Sequence, residues 1–444
     1  MNRYSARDVA GILVILLGLG IVVSGLLVNP WVPRIWQGAF IVDKADVMAS
    51  YFVWSMGIGV ATILLGRALP RAPEHLLGLS LLFFVIAAIV LGDRMLLVKF
   101  GLPLWEYDAE LHFRHRPGIE RTTHRGGDGN GVYRINSYGH HDGEFPVEKP
   151  EGEFRGVLIG DSVTMGYGLT YSKTFAAHLE RLLEARDERH RSHQVINTGV
   201  HGYSSRQERK ILEESLRFEP DFIAVGFCMN DVTEPLVVDE RLGGIGLDYH
   251  GVTQTGNRIR GYLMNETGTG RLLQAIQARS KRLDAEKRRE SFNVEQMAQY
   301  TLDDPEFAEP WESVLKELDQ MYSIARSDGI PLVLLIFPFE FQLLREDLRH
   351  PQAILRRHAV ERGVEIIDFT DLFRDAIYDD PELIEILIDR GSSLAEVQRF
   401  YGWKRREYFL DADHFTEKGH RLIADALMDY LESRNLIGAT SPGA

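Results

Sequence analysis

The chain is poor in cysteine and short of positive charge. Its 444 residues include one cysteine, Cys228, which excludes an intrachain disulfide and any paired-cysteine metal motif. Lys and Arg number 50 against 64 Asp and Glu, a formal net charge of -14. That balance excludes the broad electropositive footprint a phosphate backbone demands, so nucleic acid is not an expected partner. No repeat period is evident, which argues against a solenoid. Gly166-Tyr167-Gly168 lacks the Lys-Ser/Thr ending of a phosphate loop and the acidic partner of a dinucleotide fold. What is present in quantity is apolar material, 45% of the chain, enough for a folded protein.

That apolar material is concentrated at the start. Val9–Val28, Val47–Leu65 and Leu76–Gly92 are nearly free of charge. A helix rising 1.5 Å per residue crosses a hydrocarbon core of about 30 Å in roughly 20 residues, so residues 1–99 read as a transmembrane region of three helices. The third stretch is the shortest, but Met95, Leu96, Leu97 and Val98 continue it past Asp93 and Arg94. This places the charged pair near an interface where Arg94 can snorkel. Arg3 and Arg7 precede the first stretch as in a signal peptide, yet no small-x-small cleavage signal follows Gly25, and two more apolar stretches come after it. Trp31, Trp36 and Tyr51 sit near span ends, where amphipathic rings favour the headgroup layer. Arg34 and Lys44 count against an inside amino terminus, but that orientation keeps Arg3, Arg7, Arg67 and Arg71 cytoplasmic and delivers everything after residue 99 to the outer side. The expectation is an integral protein of a bacterial cytoplasmic membrane, with the bilayer as partner and the soluble part periplasmic or extracellular. Gly18, Gly20, Gly57 and Gly59 allow close helix contact, within the chain or with a membrane protein partner.

Residues 100–153 read as a loop-rich segment leading into a soluble domain at 154–437, with 438–444 a short flexible tail. Short apolar runs at Gly156–Ile159, Phe222–Phe227, Pro331–Phe337 and Val364–Asp368 predict strands, with another around Val195 and Ile196. Amphipathic patterns at Phe175–Glu188, Ser205–Leu216, Trp311–Ser327, Pro351–Arg362 and Thr416–Arg434 predict helices. Strands alternating with helices imply parallel pairing, because a parallel connection needs a long crossover. The expected fold is a three-layer α/β domain. Insertions near 235–310 and 376–408 interrupt the alternation and are expected to rim a site. The first carries Arg279, Lys281, Arg282, Lys287, Arg288 and Arg289 among Asp284 and Glu286, either a face toward anionic lipid or a solvated helix.

The chemistry-bearing residues lie at strand ends. Gly156-Val-Leu-Ile-Gly-Asp-Ser162 runs a strand into a serine, followed by Gly166 and Gly168 and then a helix. A serine there sits where open parallel sheets bind ligands. Far along the chain, Asp411 and His414 are three apart just before the last helix. In a turn that spacing sets a carboxylate beside an imidazole, so Asp411 can fix the tautomer while the other ring nitrogen takes a proton from Ser162. Asp413 is the local competitor for Asp411. An acyl-transfer site also needs donors for the oxygen that becomes negative. The amides of Ser162 and Gly199 and the side chain of Asn230 can converge on one oxyanion, although Asn230 can equally satisfy a buried backbone group. Cys228 is an alternative nucleophile or a small buried hydrophobe. His140, His141 and Asp142, with His112, His115 and His124, match no strong metal template, and no metal or cofactor is expected.

Gly160-Asp161-Ser162, Gly199, Asn230-Asp231 and Asp411-Ala412-Asp413-His414, in this order, resemble the SGNH or GDSL hydrolase superfamily of serine esterases, lipases and carbohydrate acetylesterases. The likeness covers roughly residues 154 to 434. It implies a flavodoxin-like α/β fold, Ser162 as nucleophile, Gly199 and Asn230 as oxyanion donors, and His414 with Asp411 as base and orienter. Arg134-Ile-Asn-Ser-Tyr-Gly139 also resembles membrane-tethered bacterial members. One departure stands out, Cys228-Met229-Asn230-Asp231 where the family has Gly-x-Asn-Asp, with Gly226 two residues upstream. The implied reaction is ester hydrolysis through an acyl-enzyme, on O-acyl groups of envelope or extracellular glycan, with lipid esters next. O-Acyl transfer to a glycan uses the same residues, and a non-enzymatic membrane component that binds glycan or protein is the alternative from another class.

Overall fold

The computed structural model describes residues 5–28, 45–108, 110–123, 131–232, 262–263, 266–273, 276, 298–299 and 305–438. Arg3, Trp31, Arg34, Trp36, Lys44, His124 and the basic run between 279 and 289 lie outside them. The chain forms two compact units, Met1–Phe113 with Tyr249–Glu286, and Arg114–Asp248 with Lys287–Ala444.

In the first unit, α1 (Ala6–Leu27), α2 (Ala45–Ala68) and α3 (Glu74–Phe100) supply three segments long and apolar enough to cross a membrane, Ala6–Leu27, Val47–Arg71 and Leu79–Lys99. This is an integral-membrane arrangement. Leu13, Leu16, Val53, Leu64, Leu81 and Ile89 are exposed, as lipid-facing positions are. α1 starts at a capping box, Ser5 with Asp8, which satisfies amides the helix cannot. α1 and α2 pack antiparallel along small residues. A Cβ on Gly18 would stand 2.8 Å from the Gly59 carbonyl oxygen, and one on Gly11 would stand 2.7 Å from that of Gly66. A Cβ on Gly25 would instead run into the Ser55 side chain. Of the four glycines singled out in the sequence, Gly18 and Gly59 oppose each other, whereas Gly20 and Gly57 have nothing within 4 Å. The seam instead recruits Gly11, Gly25 and Gly66, because their positions keep Gly18's side of α1 and Gly59's side of α2 in register.

The first insertion contributes to this unit. Asp93 Oδ1 accepts from the Thr269 amide and hydroxyl, each at 2.9 Å, and Arg271 Nε donates to the Gly101 carbonyl at 3.1 Å. Thr269 and Arg271 of this insertion, expected at the rim of the serine's site, thus cap the end of α3, where an aspartate and terminal carbonyls need partners.

The second unit contains a five-stranded parallel sheet. In chain order, β1 (Trp105–Asp108), β2 (His112–His115), β3 (Glu120–Thr123) and β4 (Gly131–Arg134) precede it. Its strands are β5 (Glu153–Ile159), β6 (Ser192–Asn197), β7 (Phe222–Phe227), β8 (Leu332–Ile336) and β9 (Glu365–Asp368). They lie in the order β6-β5-β7-β8-β9 and every pairing is parallel, the flavodoxin-like order expected. β7 is buried at every position, as a strand covered on both faces must be. Right-handed crossovers dictate the layers. The step from β5 to β6 runs opposite to every later step, so α5 (Phe175–Arg186), which follows the single turn α4 (Ser162–Met165), lies on one face. α6 (Ser205–Ser215), α7 (Pro305–Ser327) and α8 (His350–Arg362) lie on the other, where Arg362 of α8 pairs with Asp319 of α7. The closing helix, Glu417–Ser433, packs on α5. α7 starts earlier than the sequence pattern because Pro310 is accommodated inside it rather than ending it. The second insertion folds as three short helices, Pro381–Asp389, Leu394–Phe400 and Gly402–Tyr408.

Candidate active site

β5 ends at Ile159, beside the point where the strand order reverses, and an open sheet has its crevice there. Asp161 caps the next turn by accepting from the Val163 amide at 2.9 Å. One helical turn, Ser162–Met165, follows and stops at Gly166, whose φ of 80° a side chain would resist. Ser162 is the first helical residue, so its N–H has no intrahelical acceptor and remains a donor at the helix start.

The imidazole comes from the other end of the domain. Phe415 stacks on Phe373 with ring centroids 4.4 Å apart and is fully buried, so its neighbour His414 is turned toward the sheet's edge. The loop is pinned by Leu410 N–H to the His414 carbonyl and by Glu340 N–H to that of Ala412, both 2.8 Å. His414 Nε2 stands 2.9 Å from Ser162 Oγ, across 252 residues of sequence. Its Nδ1 faces Asp411 at 2.8 and 3.0 Å, whereas Asp413 Oδ1 is 3.4 Å away. Asp411 also accepts from the His414 amide at 3.0 Å, which fixes the carboxylate before it meets the ring.

The electrostatics separate the two aspartates. Burial opposes ionisation of Asp411, but hydrogen bonds from the His414 ring and amide outweigh it and hold the carboxyl well below its usual range. Burial pushes Asp413 up to about 6, with Asp411 and Asp161 repelling its charge. For His414, burial disfavours the imidazolium, yet Asp411 and Asp413 together raise its pKa above the ordinary value. Asp411 is thus the carboxylate that faces the ring in ionised form.

Gly199 sits beside the serine's turn. A Cβ on it would lie 2.3 Å from the Met165 backbone nitrogen, so glycine is required for two backbones to touch. Its N–H donates to Asn197 Oδ1 at 3.1 Å, so to reach an oxyanion as well it must be shared. Asn230 lies in the turn Met229–Val232 that follows β7; its side chain is outside the described residues. The departure at Cys228 has a structural answer. Cys228 is buried in the core and does not occupy the left-handed region, so cysteine incurs no backbone strain. Gly226 meets a different need, since a Cβ there would stand 2.5 Å from Thr164 Oγ1 behind the serine. A thiol in the core is poorly placed to attack a substrate.

Of the residues weighed as metal ligands, His141 and Asp142 brace this site. His141 Nδ1 lies 3.0 Å from the Met165 carbonyl. Asp142 Oδ2 accepts from the Asn197 amide at 2.9 Å, and Tyr133 accepts from the Gly168 amide at 2.6 Å. Burial pushes Asp142 up to about 8 and drops His115 and His140 to about 3. The stretch 131–143 thus supports both the serine's turn and the Gly199 loop, a role that Arg134–Gly139 marked only as a likeness. Sequence reasoning missed Tyr167 and His201. Tyr167 packs on the His414 ring at 4.5 Å and on His201 at 4.8 Å. Both follow residues already singled out, Gly166 and Gly199, but nothing in their spacing announces a contact.

A parallel α/β sheet carrying a serine, an imidazole and a carboxylate in line at its crevice defines the class of α/β hydrolytic folds with a Ser-His-Asp constellation. Within that class, residues 158–422 match the model of the GDSL-like Lipase/Acylhydrolase family, and the chain belongs to it. Among solved structures it is similar to a lipase/acylhydrolase from Enterococcus faecalis, at 13% identity over 63% of this chain and 96% of that one, TM-score 0.32. A member of the lipolytic protein G-D-S-L family from Veillonella parvula matches at 15% over 63% and 98%, TM-score 0.32. A catalytic mutant of an acetylxylan esterase from Geobacillus stearothermophilus matches at 14% over 62% and 93%, TM-score 0.34. A search of curated proteins found no match.

Proposed function

We propose that this protein is a serine-dependent ester hydrolase of the outer face of a bacterial cytoplasmic membrane, acting on O-acyl groups of envelope or extracellular glycan. The observation that carries the reading is the 2.9 Å approach of His414 Nε2 to Ser162 Oγ, with Asp411 on the opposite ring nitrogen. In this mechanism His414 takes the hydroxyl proton as Ser162 attacks the ester carbonyl. The oxyanion is met by the Ser162 amide, a shared Gly199 amide and Asn230. His414 then protonates the leaving alcohol, and water, activated by the same imidazole, releases the acid. The glycan assignment is supported by the three membrane helices, which hold the chain at an envelope.

The test uses full-length protein in detergent, a serine-reactive fluorophosphonate and O-acetylated envelope glycan followed by mass spectrometry. The reading requires an adduct that vanishes in Ser162→Ala and free acid released from the glycan. Absence of both adduct and turnover would leave a binding protein. Newly acylated glycan without free acid would make the enzyme an acyltransferase.

A further inference from the structure

A second cluster of ligating side chains lies where the chain leaves α5 for β6. Asp187 is the C-cap of α5, His190 lies in the turn and His193 is the second residue of β6. Asp187 Oδ2 is 2.6 Å from His190 Nδ1 and 3.0 Å from His193 Nε2. The three ligand atoms all lie within 4.8 Å of one another. Each ring reaches the carboxylate with a different nitrogen, and this requires the turn between them to wrap around a common centre.

The carboxylate is held in place for that centre. Its other oxygen, Oδ1, accepts from the Arg189 amide at 3.1 Å and the Gly438 amide at 3.0 Å, leaving Oδ2 to the imidazoles. The Asp187 side chain has no exposed surface, and that of His193 is only 4% exposed. Among the described residues, the ion-pair partners of Asp187 are these two histidines and no Lys or Arg.

We infer that Asp187, His190 and His193 form a binding site for one divalent transition-metal ion of the zinc class, at the end of the sheet opposite Ser162 and independent of the reaction. Two imidazole nitrogens and one carboxylate oxygen suit zinc and its first-row neighbours and disfavour calcium or magnesium, which prefer all-oxygen shells. Ligand atoms about 2.0–2.1 Å from a tetrahedral ion stand about 3.3–3.4 Å apart, so the two carboxylate–imidazole separations of 2.6 and 3.0 Å need to widen by less than about 1 Å to admit one. His190, 27% exposed, is the side from which the ion enters and where water completes the shell. The backbone bonds to Asp187 serve as the outer contacts that orient a metal-bound carboxylate. The ion's effect is structural. The loop that would hold it also clasps the chain's end, through Gly438 on Asp187 and Arg189 Nη1 on the Asn435 carbonyl at 2.8 Å. Gly438, expected at the start of a flexible tail, is fixed by these contacts.

The test is metal content and thermal stability of full-length protein, stripped with a chelator and titrated with Zn2+, with Co2+ as a spectroscopic probe. One tightly bound Zn2+ per chain is expected, with a rise of several degrees in the melting temperature of the α/β unit. Co2+ should give the visible bands of a low-coordinate nitrogen and oxygen site. Mg2+ and Ca2+ should do neither. His190→Ala, at a partly exposed position that tolerates truncation, should abolish the stoichiometric binding and the shift, as should His193→Gln. Asp411→Asn, which alters the other carboxylate-imidazole group, should leave both intact. Binding that persists in both histidine variants, or that is lost in Asp411→Asn, would overturn the proposal, as would wild-type protein that takes up no zinc.

Discussion

The two units of this chain both bring backbones into contact through glycine, but toward different ends. In the membrane unit, Gly11, Gly18 and Gly25 open one face of α1 so that α2 can lie against it. The helices already satisfy their own backbone groups, and a larger residue disturbs only packing. In the α/β unit, Gly199 and Gly226 let separate strand ends close around the turn that carries Ser162. A larger residue there disturbs the distances on which chemistry depends. The same residue type thus marks an interface whose tolerance is set by stability in one unit and by sub-ångström placement in the other.

The sharpest way to break this comparison is at the site itself. Ser162→Ala should reduce ester turnover, read with a chromogenic acetate ester, by about 10³- to 10⁶-fold, with circular dichroism unchanged. Asp411→Asn should cost about 10⁴-fold by leaving the imidazole in the wrong tautomer. Retained turnover in either would remove the chemistry from this crevice. Gly199→Ala comes next, because its Cβ meets backbone rather than a movable side chain. It should destabilise the α/β unit by about 1–3 kcal/mol and lower turnover at least tenfold. Gly18→Val should cost stability of similar size in detergent melts while leaving turnover of the α/β unit at wild-type level. If turnover fell as far as in Gly199→Ala, the proposed difference between the units would be lost.

Smaller effects sharpen the picture. His414 must be neutral to accept the serine's proton, and its pKa is raised, so kcat/KM should fall as pH drops through a value above 6.5. Asp413→Asn removes one of the charges that favour the imidazolium, so this acid limb should move to lower pH, and a shift to higher pH would contradict the assignment. Gly20→Ala, with open space around the glycine, should change stability in detergent melts least, by no more than about 0.5 kcal/mol.

Much of this was legible beforehand, for particular reasons. Gly160-Asp161-Ser162 and Asp411-x-x-His414 are local signals, since a strand-to-helix turn and a three-residue spacing carry their geometry within a few residues. The strands at Phe222–Phe227 and Leu332–Ile336 were legible because both faces are buried. Tyr167 and His201 were not, because ring contacts across loops leave no periodic trace. The bracing role of His141 and Asp142, which match no strong metal template, was not legible either, because their partners, Met165 and Asn197, belong to other loops. The facing pairs of the α1–α2 seam were only half visible, since small residues mark a face without naming the face opposite.

By itself the sequence determined what depends on neighbours along the chain: three apolar helices, alternating strands and helices, and the residue types of the site. Only the tertiary structure decided which aspartate faces His414, that Gly226 rather than residue 228 makes the room behind the serine, and that Asp187 gathers two histidines. The physical reason is range. Hydrophobic period and capping act over a few residues, but a hydrogen bond spanning 252 residues exists only after the sheet order has fixed which strand ends meet.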